Sequence, residues 1–232
     1  MRRFLLLAGT VILACPTTTA LAQDEGDVAA FFALLTTPVG ALPPSITPAM
    51  LGDDTGRRFG MRYGTYEFDF LERFHNIGVT LTDPRLGVSV AYLTCDGCDG
   101  AVMVGVEFDP ILARGTLGGT AASGAWTIGL RPTIGYATGT DDPFGDNIFS
   151  VGGGLPGAIA VPLSDGKLVA FVEPGIGVGM INSEGESESG FRFLFGGGIG
   201  YVGRMFGVHA GFQKIFLEDA PTQWGVGFSF GL

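Results

Sequence analysis

Side chains able to do chemistry are few in this chain and widely spaced. Cys95 and Cys98 frame a Cys-Asp-Gly-Cys unit, a third cysteine is Cys15, and the histidines are His75 and His209. A Cys-x-x-Cys pair working in thiol exchange opens a helix, whose N-terminus lowers the thiol pKa, and no helical pattern follows Cys98. In an oxidising compartment the expected outcome is a local disulfide between Cys95 and Cys98. A metal site would need further soft ligands, and none is nearby. His75 falls in a short loop over residues 71–76 beside Glu72, and His209 falls on a strand. The sequence has no Gly-x-Ser-x-Gly, no His-x-Ser pair and no carboxylate cluster around either histidine. The acidic stretches 141–147 and 184–188 lack EF-hand spacing and read as solvated loops. No catalytic residue, metal or cofactor is expected, and the chain reads as non-enzymatic.

The remaining ionic candidates are Glu107, Arg131, Glu173, Arg192 and His209, and each shares its parity with glycines. Residues 101–109 set Val102, Val104, Val106 and Phe108 against Met103, Gly105 and Glu107. Residues 125–137 set Trp126, Ile128, Leu130, Ile134 and Tyr136 against Thr127, Gly129, Arg131 and Gly135. Residues 167–181 oppose Leu168, Val172, Ile176 and Val178 to Phe171, Glu173, Gly175 and Gly177. Residues 191–202 oppose Phe191, Phe193, Phe195 and Ile199 to Arg192, Gly196, Gly198 and Gly200, and residues 206–217 oppose Val208 and Phe212 to His209, Gly211 and Gln213. Successive side chains of a strand point to opposite faces, so these are strands with one bulky apolar face and one face of glycine and charge. Residues 60–70 alternate less regularly, with Tyr66, Phe68 and Phe70 assigned to the apolar side. A soluble sandwich or lipocalin puts large apolar groups inside and charges outside. Here the charges belong inside, because a lysine or arginine facing lipid at mid-depth costs about 2–4 kcal/mol. Lys214, on the apolar parity, is expected near a strand end, where it can snorkel. The five inward groups are expected to form either an internal charge network or the constriction of a narrow solute path.

The class fits the composition. Of 232 residues 46% are hydrophobic, 16% are charged and 40 are glycine, without a Gly-X-Y period. Residues 1–22 read as a signal peptide, with Arg2 and Arg3 before an apolar stretch and Ala20-Leu21-Ala22 as the cleavage site; a lipobox at 12–15 acylating Cys15 is the rival reading. Loss of Arg2 and Arg3 takes the formal net charge from -10 to -12, which disfavours a nucleic-acid partner. After residue 23 no apolar run reaches the length of a spanning helix, so entry into a membrane requires a closed barrel.

The last ten residues, Gln-Trp-Gly-Val-Gly-Phe-Ser-Phe-Gly-Leu, place Trp224, Val226, Phe228, Phe230 and Leu232 on one face and three glycines with Ser229 on the other. This segment resembles the closing strand of bacterial outer-membrane β-barrels, and residues 57–232 resemble the small OmpA/OmpX-like barrels at the level of pattern. The resemblance implies an outer-membrane location in a Gram-negative cell envelope, recognition of the last strand by the barrel-assembly machinery, and contact with outer-membrane lipid and lipopolysaccharide. The fold expected is all-β, a closed antiparallel transmembrane β-barrel, ten strands being favoured over eight; the eight-strand alternative leaves residues 60–82 outside. Tight turns at 82–85, 164–167 and 203–205 are placed on the periplasmic side, as is a long link over 110–124. Residues 23–56 form an N-terminal arm, either a tethered segment or a plug in the lumen, with a short helix over 28–35. The function expected is a structural or surface-interaction role for a monomer, the alternatives being a narrow porin-like channel and, less favoured, an outer-leaflet lipid-modifying enzyme.

Overall fold

The computed structural model describes residues 33–34, 37, 44, 46–47, 49–51, 56–67, 73–83, 85–95, 98–119, 123–139, 147–183, 186–217 and 220–232. The signal peptide, Glu72 and most of the acidic stretches lie outside these residues, as do the side chains of Cys95 and Cys98. The strands are β1 (Arg58–Glu67), β2 (Arg73–Asp83), β3 (Leu86–Cys95), β4 (Cys98–Phe108), β5 (Ile111–Thr116), β6 (Ala125–Gly129), β7 (Arg131–Gly139), β8 (Asn147–Gly154), β9 (Gly157–Leu163), β10 (Gly166–Ser183), β11 (Glu186–Gly203), β12 (Phe206–Ile215) and β13 (Thr222–Gly231). Ten of them form a closed antiparallel ring in the order β1, β2, β3, β4, β7, β8, β10, β11, β12, β13, with β13 pairing back onto β1. Neighbours in the ring are neighbours in sequence, the meander expected of an up-and-down barrel. Residues 60–67 and 73–82 belong to the wall.

The other three strands lengthen that wall at the end where the chain terminates. β5 continues β4, β6 leads into β7, and β9 joins β8 to β10, with β5 pairing to β6, β6 to β9 and β9 to β10. The long link expected over 110–124 carries β5 and, with β6, forms a hairpin. Its tip is a 3-10 turn at Leu117–Gly119 and Gly124, whose φ of 113° is open to glycine. Pro110 lies between β4 and β5 and Pro156 between β8 and β9, whereas β10 runs unbroken through Pro174. Pro110 and Pro156 have no N–H for the ladder, yet their carbonyls accept from Leu130 at 3.0 Å and Gly129 at 2.8 Å, and the Pro174 carbonyl accepts from Leu155 at 2.8 Å. These contacts carry the ladder across the junctions in unchanged register, and the three prolines stand side by side in a continuous wall.

Register fixes the stagger of the barrel. Stepping from partner to partner runs Val202, Gly207, Ser229, Gly60, Thr80, Ser89, Gly105, Gly135, Ser150, Gly179 and returns to β11 at Gly190. The circuit thus arrives 12 residues from its start, from 202 to 190 on β11, which is the shear that tilts the strands. Every wall position along this inner circuit is Gly, Ser, Thr or Val. The opposite parity carries the exposed apolar side chains, among them Val88, Val90, Val104, Ile134, Val178, Phe193 and Phe228. An apolar exterior around a closed sheet is what a bilayer-spanning barrel presents.

The interior holds more than glycine and charge. Leu93, Met103, Ile148, Leu194 and Ile215 pack around Ala33 and Leu34 in one buried cluster; Val169, Phe171 and Val202 pack around Ile46, Met50 and Leu51 in a second. Both clusters are built on residues of the N-terminal arm. Tyr66 also points inward and stacks on Phe74 with ring centroids 5.1 Å apart, opposite to the side assigned it from sequence. The reason is register: Arg58, Gly60, Arg62, Gly64 and Tyr66 share one face of β1, while Met61 and Tyr63 lie exposed on the other.

Candidate lumen site

Between the two apolar clusters lies a belt of charge, level with the line of prolines. Asp109 precedes Pro110, Arg131 opens β7 one residue past Leu130, and Glu173 precedes Pro174. All three lie on the inward parity of the wall and converge: Arg131 Nε donates to Asp109 Oδ1 at 2.6 Å and Arg131 Nη1 to Glu173 Oε2 at 2.6 Å. These side chains are 5%, 3% and 11% exposed. At such burial the pair geometry decides the balance against desolvation, and the guanidinium fork meets one carboxylate on each side. Arg131 Nη2 also donates to the Thr47 hydroxyl of the arm at 3.4 Å. A cavity of about 40 Å³ adjoins the cluster beside Pro44, Gly196 and Gln213, room for a water or two.

The other predicted lumen residues do not join that cluster directly. Glu107, on β4 opposite Gly87, has its Oε1 buried without a hydrogen-bond partner among the described residues. Arg192 is buried and donates from Nη1 to the Phe191 carbonyl at 2.7 Å. His209 is buried on β12, level with Gly227 and hence with Arg62, since Gly227 pairs with both. A methyl group at Gly227 would meet the His209 ring, so the glycine is what lets the imidazole lie against the wall.

Three cations and an acid went unnoticed in the sequence. Arg62 is buried and donates from Nη2 to the Thr80 hydroxyl at 2.9 Å, and its Nε has no partner among the described residues. Arg58 donates to the Gly203 carbonyl at 3.3 Å and to Ser229 Oγ at 3.4 Å. Lys167 Nζ donates to the Leu51 carbonyl of the arm at 3.3 Å. The signal for Arg58 and Arg62 was available: both alternate with Gly60 and Gly64. For Asp109 it was the Asp-Pro step, repeated as Glu173-Pro174.

The described residues of the arm stand on both sides of this belt. Leu34 lies against Gly177, where a Cβ would come within 2.6 Å of its Cδ2. Thr37 and Ser150 share a hydrogen bond of 2.5 Å, Pro44 covers Gly196, and Thr127 Oγ1 donates to the Met50 carbonyl at 3.1 Å. Bulk is excluded from the wall at Gly177 and Gly196 because the arm occupies that space. His75 is elsewhere: it sits within β2 rather than in a loop, and its Nδ1 is 2.7 Å from the hydroxyl of exposed Tyr63. Among the described residues neither histidine is hydrogen-bonded to a carboxylate or serine. Cys95 and Cys98 are register partners at the outer ends of β3 and β4.

No protein-family model matches this chain, and no curated protein matches it. Solved structures similar to it include the N-terminal β-barrel domain of Pseudomonas aeruginosa OprF, at 10% identity over 75% of this chain and 97% of that one with a TM-score of 0.34. KdgM porin is similar at 9% identity over 75% and 99%, TM-score 0.38. Ail, the attachment invasion locus protein of Yersinia pestis, is similar at 15% identity over 77% and 99%, TM-score 0.28.

Proposed function

We propose that this chain is a non-enzymatic outer-membrane β-barrel with a structural or surface-interaction role, its lumen closed at rest. The observation that carries the reading is the packing of the lumen: apolar clusters built on Leu34 and on Met50 with Leu51 stand on either side of the Arg131–Asp109–Glu173 cluster. A closed barrel leaves only its exterior and its loops to act, so the outer-membrane lipid, lipopolysaccharide and surface ligands are its partners. The disulfide between Cys95 and Cys98 would staple the hairpin that presents one such loop, and the last strand would hand a monomer to the barrel-assembly machinery. Purified protein in planar bilayers is expected to give no stepwise current, and cell fractionation is expected to find it with the outer membrane. A steady unitary conductance of the native chain would instead support the second reading, a narrow porin-like channel with Glu107, Arg131, Glu173 and Arg192 at its constriction. That reading is favoured by the inner circuit of small residues.

A further inference from the structure

Positive charge is scarce on the outer face of the ring strands, and one group stands apart. Among the described residues Arg73 and Lys214 are the only lysine or arginine side chains of the ring strands on the outward parity. Arg73 Nη2 lies 2.6 Å from Glu67 Oε2, whereas among the described residues Lys214 has no ion pair. Lys214 is half-buried, one residue from the end of β12, at the opposite end of the barrel from the turn that joins β11 to β12. Its register partners are Phe195 on β11 and Thr222 on β13. Two residues below it, Phe212 is paired with Gly197 and Trp224. A Cβ at Gly197 would stand 3.5 Å from Phe212 Cε1, so the missing side chain lets the Phe212 ring lie over the wall. Ring centroids are 6.0 Å apart from Phe195 to Phe212 and 5.7 Å from Phe212 to Trp224. The three rings form one aromatic shelf across three strands, beneath a lone ammonium. Above that ammonium the Phe216 N–H donates to the Phe193 carbonyl at 2.9 Å, and both of those rings are exposed. Aromatic side chains near the end of a membrane barrel mark the boundary between hydrocarbon and headgroups. A lysine there lays its stem on the apolar surface and lifts its charge to the headgroups, and a phosphate is the counter-ion that such a boundary supplies.

We infer that this face of β11, β12 and β13 is a binding site for lipopolysaccharide, with Lys214 holding a phosphate of the glycolipid and the shelf of Phe195, Phe212 and Trp224 lying along its acyl chains. The inference rests on the proposal that outer-membrane lipid and lipopolysaccharide are partners of the barrel. Arg73 is held by Glu67, which leaves Lys214 as the outward anchor. Both halves of the ligand are used: a soluble anion meets one ammonium alone, and an acyl chain without phosphate meets an apolar wall like any other.

The test uses the full chain folded in dodecyl maltoside micelles. With Trp126→Phe in place, Trp224 is the sole tryptophan, and its emission is titrated with lipid A bearing its phosphates. A saturable change is expected, and adding Lys214→Gln should raise the midpoint about fivefold, the worth of one lysine at an anionic lipid surface. Lys214→Arg should keep the midpoint, since a guanidinium also meets phosphate. Dephosphorylated lipid A should titrate the chain that retains Lys214 as the intact lipid titrates Lys214→Gln, and inorganic phosphate should not compete. A heat-modifiable, folded Lys214→Gln barrel with an unchanged midpoint would overturn the inference. So would the absence of a saturable change in the chain that retains Lys214, or phosphatidylglycerol binding as tightly as lipid A. Those results leave the outer-membrane barrel itself standing, whereas recovery of the native chain away from the outer membrane on cell fractionation would sink the reading on which the site rests.

Discussion

Arg131 is the residue on which the lumen electrostatics turn, because it touches Asp109, Glu173 and a hydroxyl of the arm. Removing one partner of a buried ion pair is worse than replacing the whole set, since an uncompensated charge stays behind. Arg131→Ala strands two carboxylates at once and is expected to lower stability to urea by about 3–5 kcal/mol in detergent micelles. Asp109→Asn keeps the Glu173 contact and should cost less. Equal losses in the two variants would mean that the cluster is not coupled as drawn. The five inward groups Glu107, Arg131, Glu173, Arg192 and His209 were legible because each alternates with glycine, the one side chain that leaves a narrow interior room for its neighbours. Arg58 and Arg62 obey the same rule and were hidden only by the irregular reading of residues 60–70. Asp109 shares the inward parity of Met103, Gly105 and Glu107, so period-2 counting places it inside as well; what the sequence does not show is that Arg131 stands across from it.

At the scale of elements, β13 carries the exterior pattern in its cleanest form. Trp224, Val226, Phe228 and Phe230 are all exposed, while β13 bonds to β12 on one edge and β1 on the other. Phe228 lies mid-strand, paired with Met61 and Val208, so the exterior there is apolar across three strands. Phe228→Arg is expected to destabilise the folded barrel in lipid vesicles by about 2–4 kcal/mol, read from urea titrations of the heat-modifiable gel band. In detergent micelles, which let the guanidinium reach water, the penalty should shrink. An unchanged midpoint in vesicles would place Phe228 away from the hydrocarbon. The element least legible in sequence was the β5–β6 hairpin over residues 111–129. Gly115, Gly118, Gly119 and Gly124 break its hydrophobic pattern, and Pro110 stands where it leaves β4. The arm was legible as a segment but not as a part of the core, since nothing in a run such as Ala33-Leu34 says which wall it will meet.

Across the whole molecule, strand number and closure are one question, because ten strands close only if β13 bonds to β1. An eight-strand barrel would bring β13 to β3 and leave β1 and β2 outside. The parity of both counts is even, so no argument from which side the termini occupy separates them; the pairing itself does. Tyr63 faces Val226 across the β1–β13 seam, and both are exposed on the outer surface. Directly opposed residues of antiparallel strands have Cβ atoms about 4.5–5.5 Å apart, within reach of a cross-link. In a chain carrying Cys95→Ser and Cys98→Ser, the pair Tyr63→Cys with Val226→Cys is expected to cross-link on mild oxidation, giving a compact band that reductant reverses. The pair Val90→Cys with Val226→Cys should stay open, since Val90 bonds to Val79 and Val104 on its two sides. The reverse pattern would close the barrel on β3, and the 12-residue stagger, the seat of Arg62 and the lumen volume available to the arm would all have to be redrawn, because each depends on β1 and β2 standing in the wall.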